Sequence, residues 1–223
     1  MKRTYRLAAT LACLLCVAPA LAQSGAGYRD YQLGGSVVSV SALAGMPAAD
    51  VRTIHQRPAL LQELPWRRGY ATAPGPVDPV QSMLFSFYND QLFKVLVEYD
   101  RSRTEGLTAA DMIESLSAVY GTPAPKGTPA ATLRDDESGT QVAQWGQADQ
   151  SVVLYRASYP PVFRLLVTSL RLEALARTAA RQARLQDERE APQREAAKQK
   201  QEADAAQAAQ DKARDTNKAA FRP

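Results

Sequence analysis

Residues 106–123, GLTAADMIESLSAVYGTP, constrain the chain more tightly than any other stretch. Thr108 is placed as an N-cap, and Asp111 three residues later can reach back to it, a capping box with Asp in place of the usual Glu or Gln. Leu107 before the cap and Met112 after the first turn stand where a hydrophobic staple would form. Met112, Ile113, Leu116, Val119 and Tyr120 fall at i, i+1, i+4, i+7 and i+8 and make one apolar stripe. Asp111, Glu114, Ser115 and Ser117 take the opposite face, and Asp111 also suits the positive end of the helix. Gly121 follows the last periodic residue, and Pro123 prevents continuation. The spacing predicts a helix with one face to bury, and hence a sheet for it to cover.

An echo lies upstream. Gly45-Met46-Pro47-Ala48-Ala49-Asp50-Val51 aligns with Gly106-Leu107-Thr108-Ala109-Ala110-Asp111-Met112. Two readings stay open: a duplicated unit, or two ordinary helix starts that look alike.

The sheet itself is announced by residues 83–99. Met83, Phe85 and Phe87 alternate with Leu84, Ser86 and Tyr88; after Asn89-Asp90, Phe93, Val95, Val97 and Tyr99 alternate with Leu92, Lys94, Leu96 and Glu98. Two period-2 runs joined by residues that tolerate positive φ predict a β-hairpin. One face is aromatic and β-branched, and the other carries Ser86, Lys94 and Glu98.

Upstream, residues 28–40 read as a short strand or a lead-in to a first helix. Val51 and Ile54 predict a short helix ending before Pro58, and a strand is expected around Trp66. Pro74, Gly75, Pro76 and Pro79 mark a loop. Downstream, residues 132–135, 140–145, 151–157 and 162–170 predict four strands of a meander. Helix then sheet, twice, predicts an α+β fold: an antiparallel sheet with helices packed on one face, as possible half-units 28–104 and 105–172 of a domain spanning 23–172.

From Arg171 the pattern turns helical, with Leu172, Leu175, Ala179 and Leu185 as a thin apolar edge. Beyond Gln186 no side chain is more apolar than alanine until Phe221, and Pro192 interrupts the run. Residues 173–223 are therefore read as a charged tail, a solvated helix or disordered, without the seam a coiled coil needs.

At the other end, Lys2, Arg3 and Arg6 precede an apolar run over residues 7–18 that closes on Ala20-Leu21-Ala22. This predicts a signal peptide over residues 1–22, cleaved after Ala22, and export to the periplasm. The run is short for a membrane span, and no later segment is longer. A lipid-anchored form is not expected, since Leu15 precedes Cys16 and Cys13 would leave too short an apolar region. Both cysteines leave with the leader, and with them any disulfide, thiol nucleophile or thiolate site. Removing three cations from 27 Lys+Arg leaves 24 against 23 Asp+Glu, so the net charge falls from +4 to +1. No basic field for nucleic acid remains.

The chain carries few residues of catalytic type. His55 is the only histidine, so general acid–base work by histidine or a His–Ser pair would have to use it, and no G-x-S-x-G turn supplies a serine. Its surroundings, Arg57, Glu63, Trp66, Arg67 and Arg68, form the most polar and aromatic patch, and these six residues are the candidate binding site. Asp135-Asp136-Glu137-Ser138-Gly139 lacks the spacing of a calcium loop, Gly34-Gly35 lacks the rest of a phosphate fingerprint, and no metal or cofactor is expected. Trp145 and Tyr155, on adjacent strands, either stack a ligand or simply pack across the sheet.

The helix-start pattern, ending in Gly121-Thr122-Pro123 and followed by strands, resembles that of BamE/SmpA-like small envelope domains. The resemblance implies an α+β module serving assembly or binding; the chain departs from the pattern in lacking a lipid-attachment cysteine. The run from Tyr28 through His55-Gln56-Arg57-Pro58, the Phe85-Ser86-Phe87-Tyr88-Asn89 hairpin and the Phe221-Arg222-Pro223 end look like an uncharacterised exported (periplasmic) family of Gram-negative bacteria, which implies no particular activity. The expected function is a non-enzymatic envelope module that binds another envelope protein or a polymer, without nucleic acid and without spanning the membrane. The alternative is a small hydrolase or ligand-binding enzyme using carboxylates near His55. Anionic-polymer binding through Arg57, Arg67 and Arg68 is a third reading.

Overall fold

Asn89 and Asp90 both take left-handed backbone angles, φ 45° and 63°, and this tight reversal sets the centre of the fold. In the computed structural model it joins β5 (Val80–Tyr88) to β6 (Gln91–Tyr99), as the alternating pattern predicts. The structure describes residues 27–69, 78–125, 139–146, 149–158, 161–220 and 222. The leader, most of the Pro/Gly loop, the strand expected at 132–135, the run Asp135–Ser138 and Phe221 lie outside these residues.

Five further strands complete one antiparallel sheet: β3 (Arg52–His55), β4 (Leu61–Arg67), β7 (Thr140–Trp145), β8 (Gln150–Arg156) and β9 (Phe163–Ser169). Their order is β3-β4-β5-β6-β9-β8-β7, so the strands before and after the central helix meet at the β6–β9 pair. A two-stranded hairpin, β1 (Gly27–Tyr28) and β2 (Tyr31–Gln32), stands apart from it. The helices are α1 (Val37–Leu43), α2 (Ala109–Tyr120) and α3 (Leu170–Ala220). The fold is α+β, with helix-then-strands twice in chain order.

α1 and α2 cover one face. Val40 from α1 and Met112 and Leu116 from α2 share a core with Leu64, Phe85, Phe87, Val95, Val97, Leu154, Leu165 and Val167 of the sheet. Full burial of each such side chain is worth roughly 1.5–3 kcal/mol. The capping box of α2 forms as expected: Thr108 Oγ1 accepts from the Asp111 N–H at 3.3 Å, and Asp111 Oδ2 accepts from the Thr108 N–H at 2.7 Å. Two details of the stripe differ. Val119 is 66% exposed, and Ser117, read as solvent-facing, accepts a hydrogen bond from the Trp145 indole at 3.1 Å. Leu107 is 42% exposed.

Three further expectations are corrected. The first concerns the upstream echo and the short helix read from Val51 and Ile54. Pro47 has no side-chain group to cap with, and only a single 3₁₀ turn forms over Ala48–Asp50. Thr53 and Ile54 are β-branched and poor in helix, and the segment runs as β3 along β4 instead, with Arg52, Thr53 and His55 paired and Ile54 at a register shift between them. The second concerns the hairpin. Phe87 pairs with Leu92 and Ser86 with Lys94, leaving Phe93 as the extra residue of a β-bulge. Leu92 therefore joins Val95 in the main core, while Phe93 turns to the other face with Lys94.

The third concerns α3. Its first turns pack on the sheet face opposite α1 and α2, where Leu172 and Ala176 meet Leu61 and Phe93. The buried residues of α3 are Leu172, Glu173, Ala176, Ala179 and Ala183, whereas Leu175 and Leu185 are 44% and 51% exposed. Alanines face the sheet because they let the helix approach closely, so packing continues past Leu172, where the domain was expected to end. The helix also continues through Pro192. There Arg194 donates to the carbonyl and the carboxylate of Asp187, both at 3.0 Å, next to the residue that loses its proline-side donor.

Candidate functional site

The face under α3 is polar by register. Glu63, Ser86, Lys94, Thr168 and Ser151 are successive Cα partners across β4, β5, β6, β9 and β8, a polar row in a sheet otherwise rich in Val, Leu and Phe. α3 is fixed over one end of this row by its own start. Asp149 accepts from the Leu170 N–H through its carbonyl and from the Arg171 N–H and the Ser169 hydroxyl through its carboxylate, each at 2.7 Å. A carboxylate at this end satisfies orphan N–H groups and opposes the helix dipole.

Between α3 and β3–β6 lies a cavity of about 530 Å³. Lys94 and Ser86 are buried on its sheet side, and Glu173 is buried on its helix side, bonded to Arg177 at 2.9 Å. Arg184 stands on the helix side, and Leu61, Phe93, Ala176 and Ala180 supply apolar lining. Among the described residues the Ser86 hydroxyl has no hydrogen-bond partner, and neither does that of Thr168, next to Lys94 in the row. Thus three cations, Lys94, Arg177 and Arg184, face two carboxylates, Glu63 and Glu173.

Of the six expected site residues, the structure brings His55 and Glu63 into this cleft. His55, half-buried at the end of β3, has no side-chain hydrogen bond to a carboxylate among the described residues. Trp66 is 3% exposed inside the main core. Arg57 is on the surface, paired with Glu190 of α3 at 2.9 Å. Arg67 is exposed opposite Ser82. Arg68 bonds Asp100 at 3.1 Å and the carbonyls of Val80 and Asp78. Two of the three guanidiniums considered for an anionic polymer are therefore engaged within the chain. Trp145 and Tyr155 lie on opposite faces, one in the main core and the other with Val153 and Leu166, so they stack nothing between them.

The cleft residues absent from the expected set are Ser86, Lys94, Glu173, Arg177 and Arg184. The available signal was polar residues interrupting apolar runs, Lys94 between Phe93 and Val95 and Glu173 between Leu172 and Ala176. A second charged cluster lies elsewhere. Arg29 clamps Asp78 through two bonds at 2.6 and 2.9 Å, holding that carboxyl below its ordinary value. Burial pushes the Tyr99 and Tyr120 hydroxyls up, and Tyr120 donates to the Gly27 carbonyl at 3.3 Å. These groups are spent on one another and pin β1–β2 to the domain. Among the described residues no group of three or more His, Cys, Asp or Glu stands ready for a metal ion, and no helix is long and apolar enough to cross a membrane.

No protein-family model, no curated protein and no solved structure matches the chain.

Proposed function

We propose that this protein is a non-enzymatic binding or assembly module of the bacterial envelope, exported to the periplasm, whose partner is another envelope protein or polymer. One observation carries the reading: α3 runs to Ala220, and beyond Ala183 none of its residues is buried. At ~1.5 Å per residue that leaves an arm of about 55 Å standing off a small domain. A helix that serves only the fold has no reason to continue so far. Acidic and basic side chains alternate along the arm, as at Glu195, Lys198 and Glu202, which suits a protein surface better than nucleic acid. Export rests on the basic, apolar and Ala-x-Ala sequence of residues 1–22.

The enzymatic alternative needs His55 held by a carboxylate and aimed at a nucleophile. Among the described residues His55 has no such hydrogen bond, and Ser86, which lines the same cleft, has no base on its hydroxyl. The test is capture from an envelope extract with the full chain and with a chain ending at Gln186. A specific partner is expected with the first and its loss with the second. Background proteins alone from both would overturn the reading, and a mature chain that keeps residues 1–22 would overturn the export.

A further inference from the structure

We infer that the cleft between α3 and the sheet is a binding site for a small amphiphilic carboxylate, a ligand with an apolar body and one anionic head. This is independent of the arm and its partner. The cavity, about 530 Å³, falls in the range of small-molecule sites, roughly 300–1,000 Å³. Its walls divide by chemistry. Leu61, Phe93, Ala176 and Ala180 offer an apolar bed, whereas the lining groups left without a side-chain partner among the described residues, the Ser86 hydroxyl, the His55 ring, the Gln62 amide and the Arg184 guanidinium, are all able to donate.

Two considerations choose the head group. Buried polar groups in native proteins are bonded, and a hydroxyl that is 2% exposed on the residue scale and has no partner is explained where a ligand brings the acceptor. The cations lining the cleft outnumber the carboxylates by three to two, so an anion is favoured over a cation or a neutral alcohol. A planar carboxylate also matches the paired N–H groups of arginine. The apolar bed calls for a hydrocarbon body.

Decanoate, used well below its micelle concentration, is the probe, with decanol as its neutral counterpart, each titrated into the full-length protein by calorimetry. We expect saturable one-to-one decanoate binding, at least five-fold tighter than decanol. Arg184→Glu, at an exposed position, should weaken decanoate about ten-fold and leave decanol unchanged. Ala180→Trp should fill the bed and abolish both. Circular dichroism and melting verify that each variant folds, and Arg184→Glu decides the matter by itself should Ala180→Trp fail to fold. No saturable binding, equal affinity for the two probes, or decanoate binding indifferent to Arg184→Glu would overturn the inference. The chain ending at Gln186 keeps every cleft residue, so it should bind decanoate as the full chain does even where it loses a macromolecular partner.

Discussion

Among the described residues four buried side-chain atoms, the hydroxyls of Ser41, Ser86 and Thr168 and the amide nitrogen of Gln150, have no hydrogen-bond partner. A hydroxyl in that position has given up water and received nothing, so removing it is close to neutral. Ser86→Ala should leave stability in urea unchanged or raise it by up to ~1 kcal/mol; a larger loss would mean that the hydroxyl is bonded after all. Thr108 is the opposite case, because its hydroxyl caps α2. Thr108→Ala should cost about 1 kcal/mol, measured the same way. Its partner adds a pH dependence. The Thr108 N–H and hydroxyl hold the Asp111 carboxyl below the ordinary 3.8. A carboxyl whose folded pKa is depressed stabilises the fold fully above its unfolded value and loses that contribution as pH falls through the folded one. The acid loss of stability should therefore be shallower in Thr108→Ala than in the parent, compared between about pH 5 and 2. These residue-level features were legible in very different degrees. The capping box is local chemistry within four residues, and was plain. An unpaired Ser86 depends on what α3 brings across from more than eighty residues away, and no local pattern carries that.

Among the elements, α2 and the β5–β6 hairpin were readable because each carries its own start, stop and period. For α3 the sequence leaves a solvated helix or a disordered tail open, and its leucine edge is not the face the structure buries. Leucine marks an apolar edge by composition, yet Leu175 and Leu185 are exposed, and the small residues Ala176, Ala179 and Ala183 are buried. Helix-to-sheet distance decides this, and a hydropathy pattern holds no distance. The consequence is testable. Ala179 has no room to grow, so Ala179→Leu should destabilise the domain by about 1–3 kcal/mol by overpacking, whereas Leu175→Ala, at an exposed position, should change stability by less than about 0.5 kcal/mol. The reverse order in urea titrations would return the buried face to the leucines. β3 shows the complementary difficulty. Its four residues have too little pattern to declare a strand, and only the neighbouring β4 makes them one. β4 in turn carries Pro65 beyond the reach of β3, where a missing N–H costs no ladder bond to that neighbour.

At the scale of the molecule, two parts with different physics share one chain. The domain is held by buried area, its halves joined through β6 and β9 over a common core. The arm beyond Ala183 is held by backbone hydrogen bonds, helix propensity and solvent-screened surface pairs such as Arg57–Glu190 and Lys198–Glu202, which add little. Denaturant sensitivity scales with the surface that unfolding exposes, and the arm buries almost none. Ending the chain at Gln186 should therefore leave the urea midpoint and slope of the domain, followed by tryptophan fluorescence of Trp66 and Trp145, nearly unchanged. The same truncation removes most of α3, the longest helix at 51 residues against 7 and 12 for α1 and α2, so the far-ultraviolet helical signal should fall by roughly half. In the full chain the two probes should separate, the helical signal fading gradually at low urea and the fluorescence breaking in one step. Coincident transitions, or a melting temperature many degrees lower in the truncated chain, would mean that the arm folds back and packs on the domain.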